Sequence, residues 1–210
     1  KAPRILLSLL FSSLLLQAHA LIPTDRKQRL TEHWEFIRQD REAFGSDAPY
    51  TGAGKPETVP LWQKVTLPHC FNAEDAVDPD VNYYQGPGWY RTMLNIENPY
   101  TNGRTCLEFE GAGQKTEVYV YTTRIASHVG GYDEWKADIT EGGSIPSHAA
   151  LPERFGGKIP IAIRCDNSRD TEMIPSDMSD FNLYGGLYRY VNLVYTPAVH
   201  FEQIRIEATT

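Results

Sequence analysis

The sequence is poor in cysteine and in basic charge, and each shortage excludes a class of protein. Three cysteines among 210 residues cannot build a disulfide framework, and none has CxxC spacing. We therefore predict no structural disulfide. Lysine and arginine number 20 against 27 acidic residues, a net charge of −7, so the basic footprint that nucleic acid requires is missing. The six histidines lack HxH and HExxH spacing. We expect no metal, no cofactor and no nucleic-acid partner.

Long apolar runs are also scarce, and the one at the start of the chain has the pattern of an export signal. Lys1 and Arg4 give a positive beginning, residues 5–16 are apolar, and residues 18–20 read Ala-His-Ala, a small-x-small cleavage pattern. The run is too short for a confident bilayer span. A buried helix is the alternative, but no partner face for it is evident. We predict that residues 1–20 are a signal peptide and that the protein is exported, to the periplasm or the extracellular space.

Aromatic and turn-forming residues are abundant, and together they favour an all-β domain. The chain has 12 Tyr, 8 Phe and 4 Trp beside 16 Gly and 14 Pro. From residue 59 onward, short apolar runs alternate with turn clusters, and period-two alternation within the runs is typical of antiparallel sheets with one wet face. Residues 21–57 are predicted to be peripheral, and residues 141–157 to form a long surface excursion. Strands are predicted near residues 61–67, 89–97, 105–110, 117–121, 135–139, 159–165, 187–195 and 201–206.

Six short motifs follow one another in a fixed order between Trp62 and Leu193. The first is V-T-L-P-H-C-F-N at residues 65–72, the second Y-Q-G-P-G-W-Y-R at 84–91, and the last D-F-N-L-Y-G-G-L-Y-R at 180–189. Each motif is weak alone, but the ordered set resembles the sugar-binding domain of glycoside hydrolase family 2, which includes β-galactosidases, β-glucuronidases and β-mannosidases. The remaining three motifs lie within residues 109–132, 138–140 and 161–167.

The resemblance implies a jelly-roll β-sandwich, similar to galactose-binding domains, built of antiparallel sheets. We place this sugar-binding domain at residues 58–196. Residues 197–210 are predicted to be a last strand or a linker toward an immunoglobulin-like domain outside the chain. Residues 21–57 would then precede the sandwich as a peripheral segment.

The function implied by the resemblance is that of one part of an exported, retaining exo-β-glycosidase. Family members use two glutamates from a TIM barrel as nucleophile and acid/base, and neither lies in this chain. The chain alone is therefore expected to be inactive. Its partners would be a carbohydrate with a terminal β-linked sugar and downstream domains of the same polypeptide. Galactose is the first expectation for the sugar and glucuronate the second. An uncovered apolar docking face would also allow homo-oligomers.

Asp180 is the principal site residue that the resemblance implies, because the family's acid at this motif position reaches the active site and binds the terminal sugar. A carboxylate accepts hydrogen bonds from two sugar hydroxyls, and such charge-assisted bonds are strong. The alternative for Asp180 is the cap of a turn. Asn82 and Tyr184 are weaker candidates for contact with sugar, and a polar loop residue and a packing residue are their respective alternatives. We predict no catalytic residue and no metal ligand in the chain.

Two other functions stay open from the sequence. A stand-alone carbohydrate-binding module could use the same sandwich without any catalysis. A purely structural or oligomerising domain would leave Asp180 as a turn cap only.

Overall fold

The computed structural model describes residues 26–38, 62–75, 77–78, 80, 82–144, 153, 155–175, 181–201 and 205–208. The predicted signal peptide, residues 1–20, lies outside the described residues. Within the described part, no helix is long and apolar enough to cross a membrane. Twelve strands are described: β1 (Arg26–Arg29), β2 (Trp34–Arg38), β3 (Gln63–Val65), β4 (His69–Cys70), β5 (Pro87–Leu94), β6 (Arg104–Phe109), β7 (Lys115–Val120), β8 (Thr123–Val129), β9 (Trp135–Asp138), β10 (Ile159–Asp166), β11 (Gly186–Leu187) and β12 (Val191–Thr196).

The strands form two main sheets in which every pairing is antiparallel. One sheet has four strands in the order β1-β12-β6-β9, and the other has six in the order β3-β2-β5-β10-β7-β8. A short ladder of β11 and β4 lies beside them. The prediction of an all-β sandwich with antiparallel sheets is confirmed.

The core lies between the two main sheets, and alternation along the strands decides which side chains enter it. In β5, Tyr90, Thr92 and Leu94 are buried, while Arg91 and Met93 on the other face are partly exposed. Because successive residues of a strand point to opposite faces, this is the pattern that the sequence predicted. Tyr90 pairs with Ile163 of β10, which is also fully buried, so the middle of the six-stranded sheet is apolar on its inner side.

The prediction that residues 21–57 are peripheral is wrong for residues 26–38, which form β1 and β2. Trp34 of β2 is only 1% exposed and joins the core. Strand β1 consists of charged and polar residues that are all exposed, so it carries no apolar alternation. Its place at the sheet edge is stabilised by ion pairs across the sheet, between Lys27 and Glu108 and between Arg29 and Glu110.

Four further elements differ from the prediction. The strand predicted at 187–195 is divided into β11 and β12. Strand β8 was not predicted, because as the outermost strand of the six-stranded sheet it is half-exposed and lacks an apolar face. The excursion at 141–157 begins with a 3₁₀ helix, Thr140–Ser144. For the strand predicted at 201–206, residues 201, 205 and 206 are described and none is in a strand, while 202–204 lie outside the described residues.

Candidate functional site

An open recess of about 330 Å³ with tyrosines in its wall lies next to the short β4–β11 ladder. Three of the sequence motifs meet there: the residues around β4, the loop between β8 and β9, and the segment around β11. We call this site the tyrosine recess. It is lined by Cys70, Ala73, Tyr132, Tyr184 and Tyr188.

Tyr188 joins two walls of the tyrosine recess. Its hydroxyl donates a hydrogen bond to the carbonyl oxygen of Gly131, and its ring centroid lies 6.5 Å from that of Tyr132. Burial raises the pKa of Tyr188 to about 12, so the hydroxyl stays protonated at neutral pH. The loop between β8 and β9 is thereby attached to the residues that follow β11.

Segment 181–185 forms another wall and has no regular secondary structure. At its end, Gly186 exchanges two backbone hydrogen bonds with Gly113, with N···O distances of 3.0 and 3.3 Å. The N–H of Phe71 donates to the carbonyl oxygen of Gly185 at 3.1 Å. A Cβ atom on Gly113 would lie 2.7 Å from the Tyr188 ring, so only glycine permits this close approach.

The buried side chain of Asn72 hydrogen-bonds the backbone of the same segment. Its Nδ2 atom donates to the carbonyl oxygens of Tyr84 and Leu183, at 3.1 and 3.0 Å. Its Oδ1 atom accepts from the N–H of Gly185 at 2.9 Å. The side-chain thiol of Cys70 donates to the same oxygen at 3.3 Å. All four hydrogen-bonding positions of the amide are therefore used.

Asn167 makes a parallel set of bonds from the end of β10. Its Nδ2 atom donates to the same two carbonyl oxygens, those of Tyr84 and Leu183, at 3.2 and 2.8 Å. Its Oδ1 atom accepts from the N–H of Gly86 at 2.9 Å. Both asparagines are 0% exposed. We call Asn72 and Asn167 together the asparagine clamp.

The groups around the tyrosine recess suit binding rather than proton transfer. Burial raises the pKa of the Cys70 thiol, and burial raises the pKa of Tyr83 to about 12, so both stay protonated at neutral pH. A general acid or base works best with a pKa near the operating pH, which neither group has. What the recess offers is aromatic faces, with Tyr132 and Tyr184 53% and 44% exposed, and hydroxyl groups able to hydrogen-bond.

Of the predicted site residues, Tyr184 lies in the wall of the tyrosine recess. Asn82 is exposed and directly precedes Tyr83, whose hydroxyl donates to the carbonyl oxygen of Leu183. Asp180 lies outside the described residues. The roles of all three in sugar binding stay predictions.

Sequence reasoning did not single out Tyr132, Tyr188 or the asparagine clamp. Each of these residues lies inside a motif that resembles the family pattern, and that position was the one feature of the sequence that could have identified them as site residues. What the sequence could not supply was the proximity of Asn72, Asn167 and Leu183, which are distant along the chain and meet only in the fold.

Arg91 has a structural role. Its guanidinium lies 2.7 Å from the carboxylate of Glu35 on the neighbouring strand and 4.1 Å from the ring centroid of Trp62. The ion pair therefore links β2 to β5.

The acidic turn at Asp75, Asp78 and Asp80 is held by protein contacts. Asp75 pairs with Arg38 at 2.8 Å and accepts from the N–H of Tyr84 at 3.1 Å. Asp78 accepts from the N–H of Asp80 at 2.9 Å. Among the described residues, no group of three or more His, Cys, Asp or Glu is arranged to hold a metal ion.

Comparison with known proteins identifies relatives of this domain. The structure is similar to that of Bacteroides uniformis β-glucuronidase 3 in its apo form, with a TM-score of 0.80 and 88% identity over 90% of this chain and 25% of the other. A β-glucuronidase of Bacteroides fragilis is 31% identical over 64% of this chain and 18% of its own length. A β-galactosidase of Thermoanaerobacter pseudethanolicus is 28% identical over 81% of this chain and 21% of its own length. No family model matches the chain.

The fold and these matches define the chain as a β-sandwich domain related to glycoside hydrolases. More narrowly, the relatives are β-glucuronidases and β-galactosidases, and the resemblance found in the sequence is confirmed. The chain spans about a fifth of the length of the two curated relatives and a quarter of the solved structure.

Proposed function

We propose that this chain is the sugar-binding domain at the amino-terminal side of an exported exo-β-glycosidase, where it helps to form the pocket for the terminal sugar. The observation that carries the proposal is the tyrosine recess, because three motifs of the family resemblance meet in it. The groups there bind rather than react, so catalysis would come from a part of the polypeptide that this chain does not include.

The sugar that we propose is a β-linked hexuronate rather than the galactose first expected. The support is the 88% identity to a protein named β-glucuronidase, against 28% to one named β-galactosidase. A hexuronate carboxylate needs a cationic partner, and guanidinium is well suited to it. We place that partner in the catalytic part of the polypeptide.

Within the proposal, Asp180 and Tyr184 act together on the terminal sugar. The carboxylate of Asp180 accepts hydrogen bonds from ring hydroxyls, and the exposed ring of Tyr184 covers an apolar face of the sugar. Asn82 contributes a polar contact at the rim. Residues 1–20 direct the enzyme out of the cytoplasm, to the periplasm or the extracellular space, and there it meets complex carbohydrate.

The test is kinetic and uses the full-length polypeptide that contains this chain. Asp180→Asn should lower kcat/KM for an aryl β-glucuronide by about 10- to 100-fold, the amount expected from the loss of a charged hydrogen-bond partner worth about 1.5–3 kcal/mol. Asp138→Asn is the matched control, since Asp138 is exposed in β9 on the four-stranded sheet. It should change kcat/KM by less than about twofold.

Other outcomes would contradict the proposal in distinct ways. Equal effects of the two aspartate variants would remove Asp180 from the site. A preference for aryl β-galactoside over β-glucuronide would overturn the choice of sugar alone. Millimolar binding of glucuronate by residues 21–210 without the rest of the polypeptide would favour a stand-alone carbohydrate-binding module.

A further inference from the structure

We propose that Asn72 and Asn167 are positioning residues that fix segment 181–185 for contact with sugar, an inference that rests on the proposed function. Segment 181–185 has no regular structure, and strand β11 after it has only two residues. Its backbone must therefore be fixed by bonds from elsewhere. The asparagine clamp supplies those bonds.

The clamp acts on the middle of the segment. The carbonyl oxygen of Leu183 accepts from both asparagines and from the hydroxyl of Tyr83, and the N–H of Gly185 donates to Asn72. Leu183 itself is buried, so the centre of the segment is anchored on both its backbone and its side chain.

The side chains on either side of this anchor face outward. Phe181 is 59% exposed and Tyr184 is 44% exposed, while Leu183 between them is only 4% exposed. A rigid backbone that presents exposed aromatic side chains is the arrangement of a preorganised binding loop.

The two asparagines also work as one unit, because each donates to the same pair of carbonyl oxygens. The carbonyl of Tyr84 belongs to the loop before β5, so the clamp sets the distance between that loop and segment 181–185. If one amide is lost, the other still donates to the carbonyl oxygens of Tyr84 and Leu183. The bond that only the lost amide makes, to the N–H of Gly185 or of Gly86, disappears. Each single variant should therefore displace the segment without dissolving the site.

Asn192 provides a matched control for burial and residue type. It is 1% exposed, lies in the regular ladder of β12 and hydrogen-bonds Glu108 and Glu110 on the four-stranded sheet. It does not line the tyrosine recess. Removing its amide should lower stability without moving segment 181–185.

The first experiment compares Asn72→Ala, Asn167→Ala and Asn192→Ala in the full-length polypeptide, with assays run well below the lowest of the three Tm values. Since a misplacement of about 1 Å can cost about 100-fold in rate, the two clamp variants should lose about 10- to 100-fold in kcat/KM for an aryl β-glucuronide. Asn192→Ala should stay within about twofold of the parent. Asn167→Ser, which keeps one donor, should recover part of the loss.

The second experiment uses amide hydrogen exchange on the 210-residue chain and needs no activity. Asn72→Ala should speed exchange at Gly185, and Asn167→Ala should speed it at Gly86, each by about tenfold or more because a buried acceptor is lost. Amides of β12 should keep their protection in both variants. Unchanged exchange rates at Gly185 and Gly86 would overturn the inference that the asparagine clamp fixes the backbone there.

The two experiments separate the inference from the function on which it rests. If Asp180→Asn is harmful while the clamp variants match Asn192→Ala in kcat/KM, the inference is wrong and the proposed function stands. If Asp180→Asn and both clamp variants all match their controls in kcat/KM, the proposed function and the positioning role fail together, whatever the exchange data show.

Discussion

Substitution of Gly186 by alanine tests whether the Y-G-G part of the last motif is dictated by packing. The φ angle of Gly186 is +110°, a conformation that residues with a Cβ rarely adopt. A Cβ atom there would lie 2.7 Å from the backbone oxygen of His69 and closer still to the hydroxyl of Tyr90. Tyr90 is fully buried, and its hydroxyl donates to that same oxygen at 3.1 Å. Neither atom is free to withdraw.

The expected loss has two parts. The left-handed backbone costs an alanine about 1–2 kcal/mol, and forcing a methyl group into a packed site costs about 1–3 kcal/mol more. Gly157 isolates the first part, because its φ angle is +83° and a Cβ atom there would meet nothing within 4 Å. Gly186→Ala should therefore destabilise the chain by about 2–5 kcal/mol, and Gly157→Ala by about 1–2 kcal/mol.

Urea and thermal unfolding of the 210-residue chain, followed by circular dichroism, measure this difference. Each kcal/mol shifts Tm by about 2–4 °C in a domain of this size, so Gly186→Ala should lower Tm by about 4–20 °C. Equal losses for the two alanine variants would refute the reasoning, since the packing against His69 and Tyr90 would then contribute nothing.

Two further predictions concern protons and thiols. Burial lowers the pKa of His69 below its usual 6.5, and although burial raises the pKa of Glu108, two lysine partners outweigh this and hold it below 4.5. Both groups bind protons more readily in the unfolded chain, so stability decreases as the pH falls. The urea midpoint should therefore fall between pH 7.5 and pH 5 because of His69, and fall again toward pH 4 because of Glu108. The variant His69→Gln should remove only the first of these two decreases. A thiol reagent should modify only Cys70 in the native chain, slowly because burial raises its pKa, and should reach Cys106 and Cys165 only in urea. Fewer than three reactive thiols in urea would contradict the assignment of all three cysteines as thiols.

The centre of the sandwich could be predicted from the sequence because its strands obey period-two alternation. Residues such as Tyr90 and Ile163 stand at alternating apolar positions, and this pattern alone indicates a buried face. The edges could not be predicted in this way. Strand β1 is held by paired charges and β8 is half-exposed, so neither has the apolar alternation that marks a buried strand.

The site was predictable as a set of motifs but not as a geometry. Tyr184 was identified because its motif resembles a family pattern, and it does lie in the tyrosine recess. Tyr132 and Asn167 lie in other motifs, and nothing in their own neighbourhood along the chain places them near residue 184. Contacts over such separations are set by how the sheets close, which residue patterns do not encode locally.

The position of β1 has a consequence for the order in which the chain can fold. Arg26 pairs with Tyr195, so the first described strand completes its sheet against the last. During synthesis, β1 has no partner until residues 192–195 have left the ribosome, and long-range pairing of this kind closes slowly. The four-stranded sheet of the nascent domain thus stays incomplete until β12 has been made, and a chain that ended before residue 191 would leave both β1 and β6 without their shared neighbour.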